Sequence, residues 1–182
     1  NATVDCFVNS EVTIKNVCTA MRNTFAKASP SDAIILYFSG HGVPGGLVCY
    51  DGVLYYSSVL SIMRQSKAQQ KMIFVDACFA GKMRNTNKRS TNYSKENVMF
   101  FLSSRSTEKS LETPRQTGFN NSLFTVFLER GLRGGADTNK DRVITAKEIY
   151  NFVHQGVVEA SGNRQHPVMW GKFDGNMVVM KW

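Results

Sequence analysis

This 182-residue chain has little cysteine, little proline, few acids and no long apolar run. Its four cysteines, Cys6, Cys18, Cys49 and Cys78, form no CxxC pair and no dense cluster, which argues against a disulfide scaffold or a zinc ribbon. Four prolines, 42% hydrophobic residues and 20% charged residues separate it from disordered, collagen-like and low-complexity sequence. No apolar stretch approaches the ~18 residues of a membrane span, so no membrane partner is expected. Acids are outnumbered: 22 Lys and Arg stand against 14 Asp and Glu, a net charge of +8. That excess is open to three readings, a nucleic acid, an acidic lipid surface or a local cause. The length fits one domain at roughly 150 residues per domain. A chain of this size buries about 70% of its unfolded surface and needs neither disulfide nor metal for a core.

What is present is a series of uninterrupted apolar runs, 33–38, 72–75 and 98–102. They lack the in/out alternation of a half-exposed strand and suit central strands of a parallel sheet covered on both faces. A shorter run, 4–8, is a candidate fourth strand, and 177–180 a candidate last edge strand. Between them lie helical faces. Ile14, Val17, Cys18, Met21 and Phe25 recur at spacings of three and four. Ser57 and Ser58 are candidate caps for a helix carrying Val59, Leu60, Ile62 and Met63. Phe124, Phe127 and Leu128 predict a helix ending near Gly131 or Gly134–Gly135, and Ile149, Tyr150, Val153 and Val157 predict another. Asp51-Gly52 between 47–50 and 53–56 reads as a hairpin turn. The order of strands and helices predicts an α/β fold, a three-layer sandwich with a mostly parallel sheet flanked by helices.

In such a sheet the active site lies at the carboxyl ends of the strands. Three ends are legible: Ser39-Gly40-His41-Gly42, Asp76-Ala77-Cys78 and Ser103-Ser104-Arg105. Adjacent parallel strands would bring His41 and Cys78 to one edge. A cysteine attacks as thiolate, and an imidazole beside it can take the thiol proton and return it to a leaving amine. Gly42 and Cys78 are candidate backbone N–H donors to an oxyanion.

Tyr37-Phe-Ser-Gly-His-Gly42 followed by Asp76-Ala-Cys-Phe-Ala-Gly81 resembles the caspase-like cysteine peptidases, the metacaspases and prokaryotic caspase-like proteins among them. The similarity runs over nearly the whole chain. It departs from the Q-A-C-[RQG]-G signature with His about 50 residues upstream that marks the aspartate-specific caspases. Here Asp76 replaces the Gln, and His41 lies 37 residues before Cys78. The resemblance implies His41 as general base, Cys78 as nucleophile, and Asp76 with Ser39 in an S1 pocket for a Lys or Arg side chain. It implies protein or peptide substrates cleaved after Lys or Arg, and no required cofactor. It also implies a single domain over 1–182 that lacks the usual first strand and helix, which leaves two expectations: an N-terminal fragment of the same precursor, cleaved and docked as a partner, or a partial sequence. The polar loop 82–95 carries five basic residues and no acid. It matches an inter-subunit segment, with Lys82, Arg84, Lys88 and Arg89 as candidate self-cleavage sites.

A calcium reading comes from 137–148. Asp137, Asn139, Asp141, Thr145 and Glu148 fall at EF-hand positions 1, 3, 5, 9 and 12. Arg142 stands at position 6, where the loop calls for Gly. The alternative is a metal-free turn with Thr145 and Glu148 as a capping box. His154 and His166 lack partners at metal spacing, and Cys6, Cys18 and Cys49 read as buried fillers. Competing functions are an Asn-specific legumain-like peptidase, a non-catalytic caspase-like signalling module and a nucleic-acid binder. The last has only Tyr93 as an aromatic in its basic loop and no binding motif, so no nucleic-acid partner is expected. No signal peptide is visible, which leaves a cytoplasmic location as the default expectation.

Overall fold

The computed structural model describes residues 2–78, 98–105, 107–111 and 121–182. Loop 82–95 and its four candidate cleavage residues lie outside them. The fold is α/β and mostly parallel, as expected. Strands β1 (Ala33–Gly40), β5 (Gln70–Ala77), β6 (Val98–Leu102) and β8 (Val168–Lys172) form one sheet in the order β1-β5-β6-β8. The first three are parallel and β8 closes the sheet antiparallel. A hairpin sheet of β2 (Gly42–Val43), β3 (Gly46–Cys49) and β4 (Gly52–Tyr55) follows β1, and β7 (Val143–Thr145) pairs with β9 (Val178–Lys181).

Two apolar layers cover the sheet. On one face α1 (Ile14–Phe25) and α2 (Tyr56–Gln65) pack Met21, Val59 and Met63 around Ile73, Val75 and Phe100. On the other, α3 (Leu123–Arg130) and α4 (Ala146–Ala160) pack Phe124, Leu128, Ile149 and Val153 around Met72, Phe74 and Phe101. Every residue of β6 is buried, and Phe101 meets Phe124 edge to face at 5.0 Å between centroids. Truncating a side chain so placed costs about 3–5 kcal/mol. These two layers are the physical reason that runs 72–75 and 98–102 lack alternation.

Several expectations need correction. Among the described residues run 33–38 is an edge strand rather than a central one: β1 pairs there only with β5, and Ile35 and Tyr37 are about half exposed. They line an open apolar groove of about 500 Å³ with Phe74, Thr125, Leu128 and Met180. Residues 4–8 form no strand, having no backbone ladder partner among the described residues; Val4, Cys6 and Val8 are exposed, so Cys6 is no core filler. Run 177–180 joins β7 rather than the main sheet, whose antiparallel edge is β8. Helix α2 is capped at Tyr55 without a side-chain bond, not by Ser57 or Ser58. The hairpin forms as expected, with Cys49 opposite Gly52, and Asp51 gains a second use: its carboxylate accepts from Ile14 N at 2.8 Å and so caps α1. Gly171 is required where β8 meets β6. Its φ is 129°, and a Cβ there would sit 2.0 Å from Val98 O.

Past β6 the chain is fastened by Glu108. Its carboxylate accepts from Arg105 N at 3.2 Å and His166 N at 2.8 Å, and its Oε1 lies 2.9 Å from His166 Nδ1. Burial alone would push this carboxyl up, but the N–H bonds from His166 and Arg105 outweigh it and hold the value below the usual glutamate range. A carboxyl depressed in the fold adds stability that is complete above its unfolded value, about 4.3, and is lost as pH falls through the folded value. Glu108→Gln should therefore lower unfolding stability near pH 7 by about 1–2 kcal/mol and have a progressively smaller effect as pH falls below about 4. Denaturant melts of both proteins over this pH range check this.

Candidate active site

The parallel register of β1 and β5 sets Ser39 opposite Asp76 and Gly40 opposite Ala77. His41 and Cys78 are the next residues on each strand, so both leave the sheet at neighbouring carboxyl ends. His41 is exposed, and its carbonyl accepts from Val48 N at 2.9 Å, which ties the loop to β3. Cys78 is partly buried and a free thiol. Between them only glycine fits at position 42: a Cβ there would lie 2.6 Å from the Cys78 carbonyl and 3.1 Å from the Ala77 Cβ. The backbone of the His41 loop therefore lies directly against that of Cys78.

Asp76 points away from solvent and is 4% exposed. Its Oδ1 accepts from Ser110 Oγ at 2.7 Å. Its Oδ2 accepts from Thr125 Oγ1 at 2.5 Å and from Ser122 Oγ. Ser122 also caps α3, accepting from Thr125 N at 3.1 Å. The carboxylate thus sits at the amino end of α3, where the helix dipole favours negative charge. The Thr125 proton goes to Asp76, so the phenol of Tyr37, 2.7 Å from Thr125 Oγ1, is the donor in that contact. Burial pushes the Tyr37 phenol above its ordinary value, and the Asp76 charge adds to this, so it keeps its proton. Ser39 lies beside Asp76 on β1 and is exposed.

These three hydroxyls were not legible in the sequence. Ser110 lies in an irregular segment, and Ser122 and Thr125 read as the polar start of a helix. Their only signal is that Ser122 and Thr125 are one turn apart at a helix start, the placement that lets both face one anion. Behind them is a fully buried pair, Ser103 and Gln165. Gln165 Nε2 donates to Ser103 O at 2.8 Å and to Ser110 Oγ at 3.4 Å.

The residues of the EF-hand-like loop bond to one another and to the loop's own backbone. Asp137 accepts from Asp141 N and Arg142 N, Asn139 from Asp141 N, and Asp141 from Val143 N, all at 2.8–3.2 Å. Arg142 takes a left-handed turn at position 6, where the loop calls for Gly, at φ 64°, with the Asp137 carboxylate holding its N–H. Thr145 and Glu148 form the capping box of α4, and Glu148 also accepts from Thr138 Oγ1 at 3.0 Å. Among the described residues no group of three or more His, Cys, Asp or Glu side chains is placed to hold a metal ion. His166 is engaged with Glu108, and the His154 ring lies 6.3 Å from it between centroids, tilted by 52°; burial and the neighbouring His166 lower the His154 value. Cys18 and Cys49 are buried, and burial pushes the Cys49 thiol up, away from thiolate chemistry. No described helix is long and apolar enough to cross a membrane.

Comparison with known proteins gives the same architecture. A caspase-1 from Spodoptera frugiperda superposes with a TM-score of 0.65 at 18% identity, over 92% of this chain and 71% of that one. A protein from Geobacter sulfurreducens superposes with a TM-score of 0.63 at 16% identity, over 90% of this chain and 75% of that one. At such identity the likeness shows the fold alone. No curated protein sequence matches the chain. Residues 2–176, by contrast, match the caspase domain family. With a matching fold and a Cys and a His at adjacent strand ends, the chain belongs to the caspase domain family of cysteine peptidases.

Proposed function

We propose that the protein is a cysteine endopeptidase that hydrolyses peptide bonds after Lys or Arg, with Cys78 as nucleophile and His41 as general base. The observation that carries this reading is the β1–β5 register, which ends the two strands side by side at Gly40 and Ala77, one residue before His41 and Cys78. In the first half-reaction the Cys78 sulfur bonds to the scissile carbonyl carbon while His41 takes the thiol proton. The tetrahedral oxyanion is met by the backbone N–H groups of Gly42 and Cys78. On collapse the C–N bond breaks, His41 gives the proton to the leaving amine, and a thioester remains. Water then attacks, His41 removes its proton and returns it to the departing sulfur, and the acid product leaves.

Specificity is assigned to Asp76, with Ser39 beside it. Asp76 offers a carboxylate ringed by hydroxyls at the amino end of α3, in a site with little solvent. Hydroxyls can rotate to admit a cation, and their oxygens serve as further acceptors for an ammonium or guanidinium. A neutral Asn or acidic Asp side chain gains nothing from that charge. No step passes through a metal. The basic loop that follows Cys78 is then a substrate of the same specificity, with Lys82, Arg84, Lys88 and Arg89 as its candidate cleavage residues.

Purified protein in EDTA should turn over Arg- and Lys-terminated fluorogenic peptides, with Cys78→Ala and His41→Ala abolishing the reaction. Asp76→Asn should reduce kcat/KM for the basic substrates about 30-fold, since bonds to charged groups contribute ~2 kcal/mol. Turnover of Asn- or Asp-terminated peptides in preference to basic ones contradicts the assignment, and inertness toward the whole panel favours a non-catalytic signalling module. For the loop, intact-mass spectrometry should find fragments ending at Lys or Arg within 82–95 in the wild type but not in Cys78→Ala. Identical intact masses remove self-cleavage from the account.

A further inference from the structure

Ser103 and Gln165 are both fully buried, both polar, and unused by the chemistry above. Ser103 N donates to Val75 O at 2.9 Å, which continues the β5–β6 ladder one step past β6. In a regular parallel ladder the next bond would run from Ala77 N to the Ser103 carbonyl. Here that carbonyl accepts from Gln165 Nε2 at 2.8 Å instead. The Ser103 hydroxyl takes over as the partner of Ala77, accepting from its N–H and donating to its C=O, both at 3.1 Å. One side chain therefore satisfies both backbone groups of the residue immediately before Cys78. The opposite side of that backbone is closed by Gly42, whose missing Cβ leaves just enough room for the Cys78 carbonyl.

Gln165 has a second attachment. Its other amide proton faces Ser110 Oγ at 3.4 Å, and Ser110 donates to Asp76 Oδ1 at 2.7 Å. Its Oε1 accepts from Leu111 N at 2.8 Å, and its backbone N donates to Ser161 Oγ at 3.1 Å. The amide is thus held at both ends and can sit in one orientation only.

We propose that Ser103 and Gln165 are positioning residues, which set the Cys78 backbone against the His41 loop and couple it to the Asp76 carboxylate. This rests on the reading of Cys78 as nucleophile. Ser103 acts on the nucleophile through Ala77, and Gln165 acts on both the nucleophile, through Ser103, and the P1 site, through Ser110. A sub-ångström shift of a nucleophile away from its base reduces the rate far more than it reduces substrate binding.

The test compares Ser103→Ala, Ser103→Thr and Gln165→Leu with wild type by steady-state kinetics, thermal unfolding and alkylation of Cys78. Alkylation by iodoacetamide is followed over a pH series by peptide-resolved mass spectrometry, which separates Cys78 from the exposed Cys6. Ser103→Ala should reduce kcat about tenfold or more at nearly unchanged KM, and Cys78 alkylation at pH 7 should slow in parallel with an upward shift of its pH midpoint. Ser103→Thr, which keeps the hydroxyl, should recover most of the rate. Gln165→Leu should reduce kcat and also raise KM for Arg substrates, because Ser110 loses its partner. If Gln165→Leu does not fold, the Ser103 pair carries the test alone. A folded Ser103→Ala with wild-type kcat and a wild-type alkylation profile overturns the proposal. A wild type inert to every peptide defeats the nucleophile reading instead, and the alkylation profile still decides whether Ser103 sets the thiol.

Discussion

The parallel pairing of β1 with β5 constrains everything at the site. Because side chains alternate across a strand, a slip of one residue would turn Asp76 to the opposite face and carry His41 out of line with Cys78. Register is fixed by what each face must bury. Ile34 and Phe38 on β1, and Ile73 and Val75 on β5, belong to the layer under α1 and α2. Phe74 and Met72 belong to the layer under α3 and α4. The core thus specifies where the strands end, and the glycines around His41 let the chain leave the sheet at that point without a clash.

A second constraint is polar. Asp76 is a buried carboxylate, and an unpaired one would be strongly destabilising. It is kept by donors from two separate segments, Ser110 from the strap after β6 and Ser122 with Thr125 from the start of α3. The strap is in turn fastened to the loop before β8 by Glu108 with His166, and by Leu111 N with Gln165. Chain segments far apart in sequence therefore converge behind one carboxylate and one cysteine. These bonds fasten a region with little regular structure behind the site.

Much of this was legible in the sequence. Uninterrupted apolar runs marked β5 and β6 because both faces are covered, and helical periodicity marked α1 to α4 because each buries one side. His41 and Cys78 were legible because strand ends in a parallel sheet are predictable points. Other features were hidden for physical reasons. β1 has the apolar run of a covered strand, yet Ile35 and Tyr37 face an open groove among the described residues. β8 was missed because Val168-Met-Trp-Gly-Lys172 is short and contains a glycine, and that glycine is what lets β8 approach Val98. The hydroxyls around Asp76 carry no periodicity at all, since hydrogen bonds between distant segments leave no pattern in a single sequence. The net charge of +8 is concentrated in one loop after the nucleophile, which fits an enzyme acting on basic residues better than a nucleic-acid surface.

The central claim is that Cys78 is a nucleophile that meets substrates through a basic P1 side chain. The most direct measurement is intact and peptide-resolved mass spectrometry after treatment with a peptidyl chloromethyl ketone ending in Arg, beside its Asp-terminated analogue. The account predicts one covalent adduct per chain, at Cys78, formed rapidly with the Arg reagent and slowly with the Asp one, and strongly slowed in His41→Ala. Equal labelling by both reagents, or labelling at Cys6 with Cys78 unmodified, would contradict it.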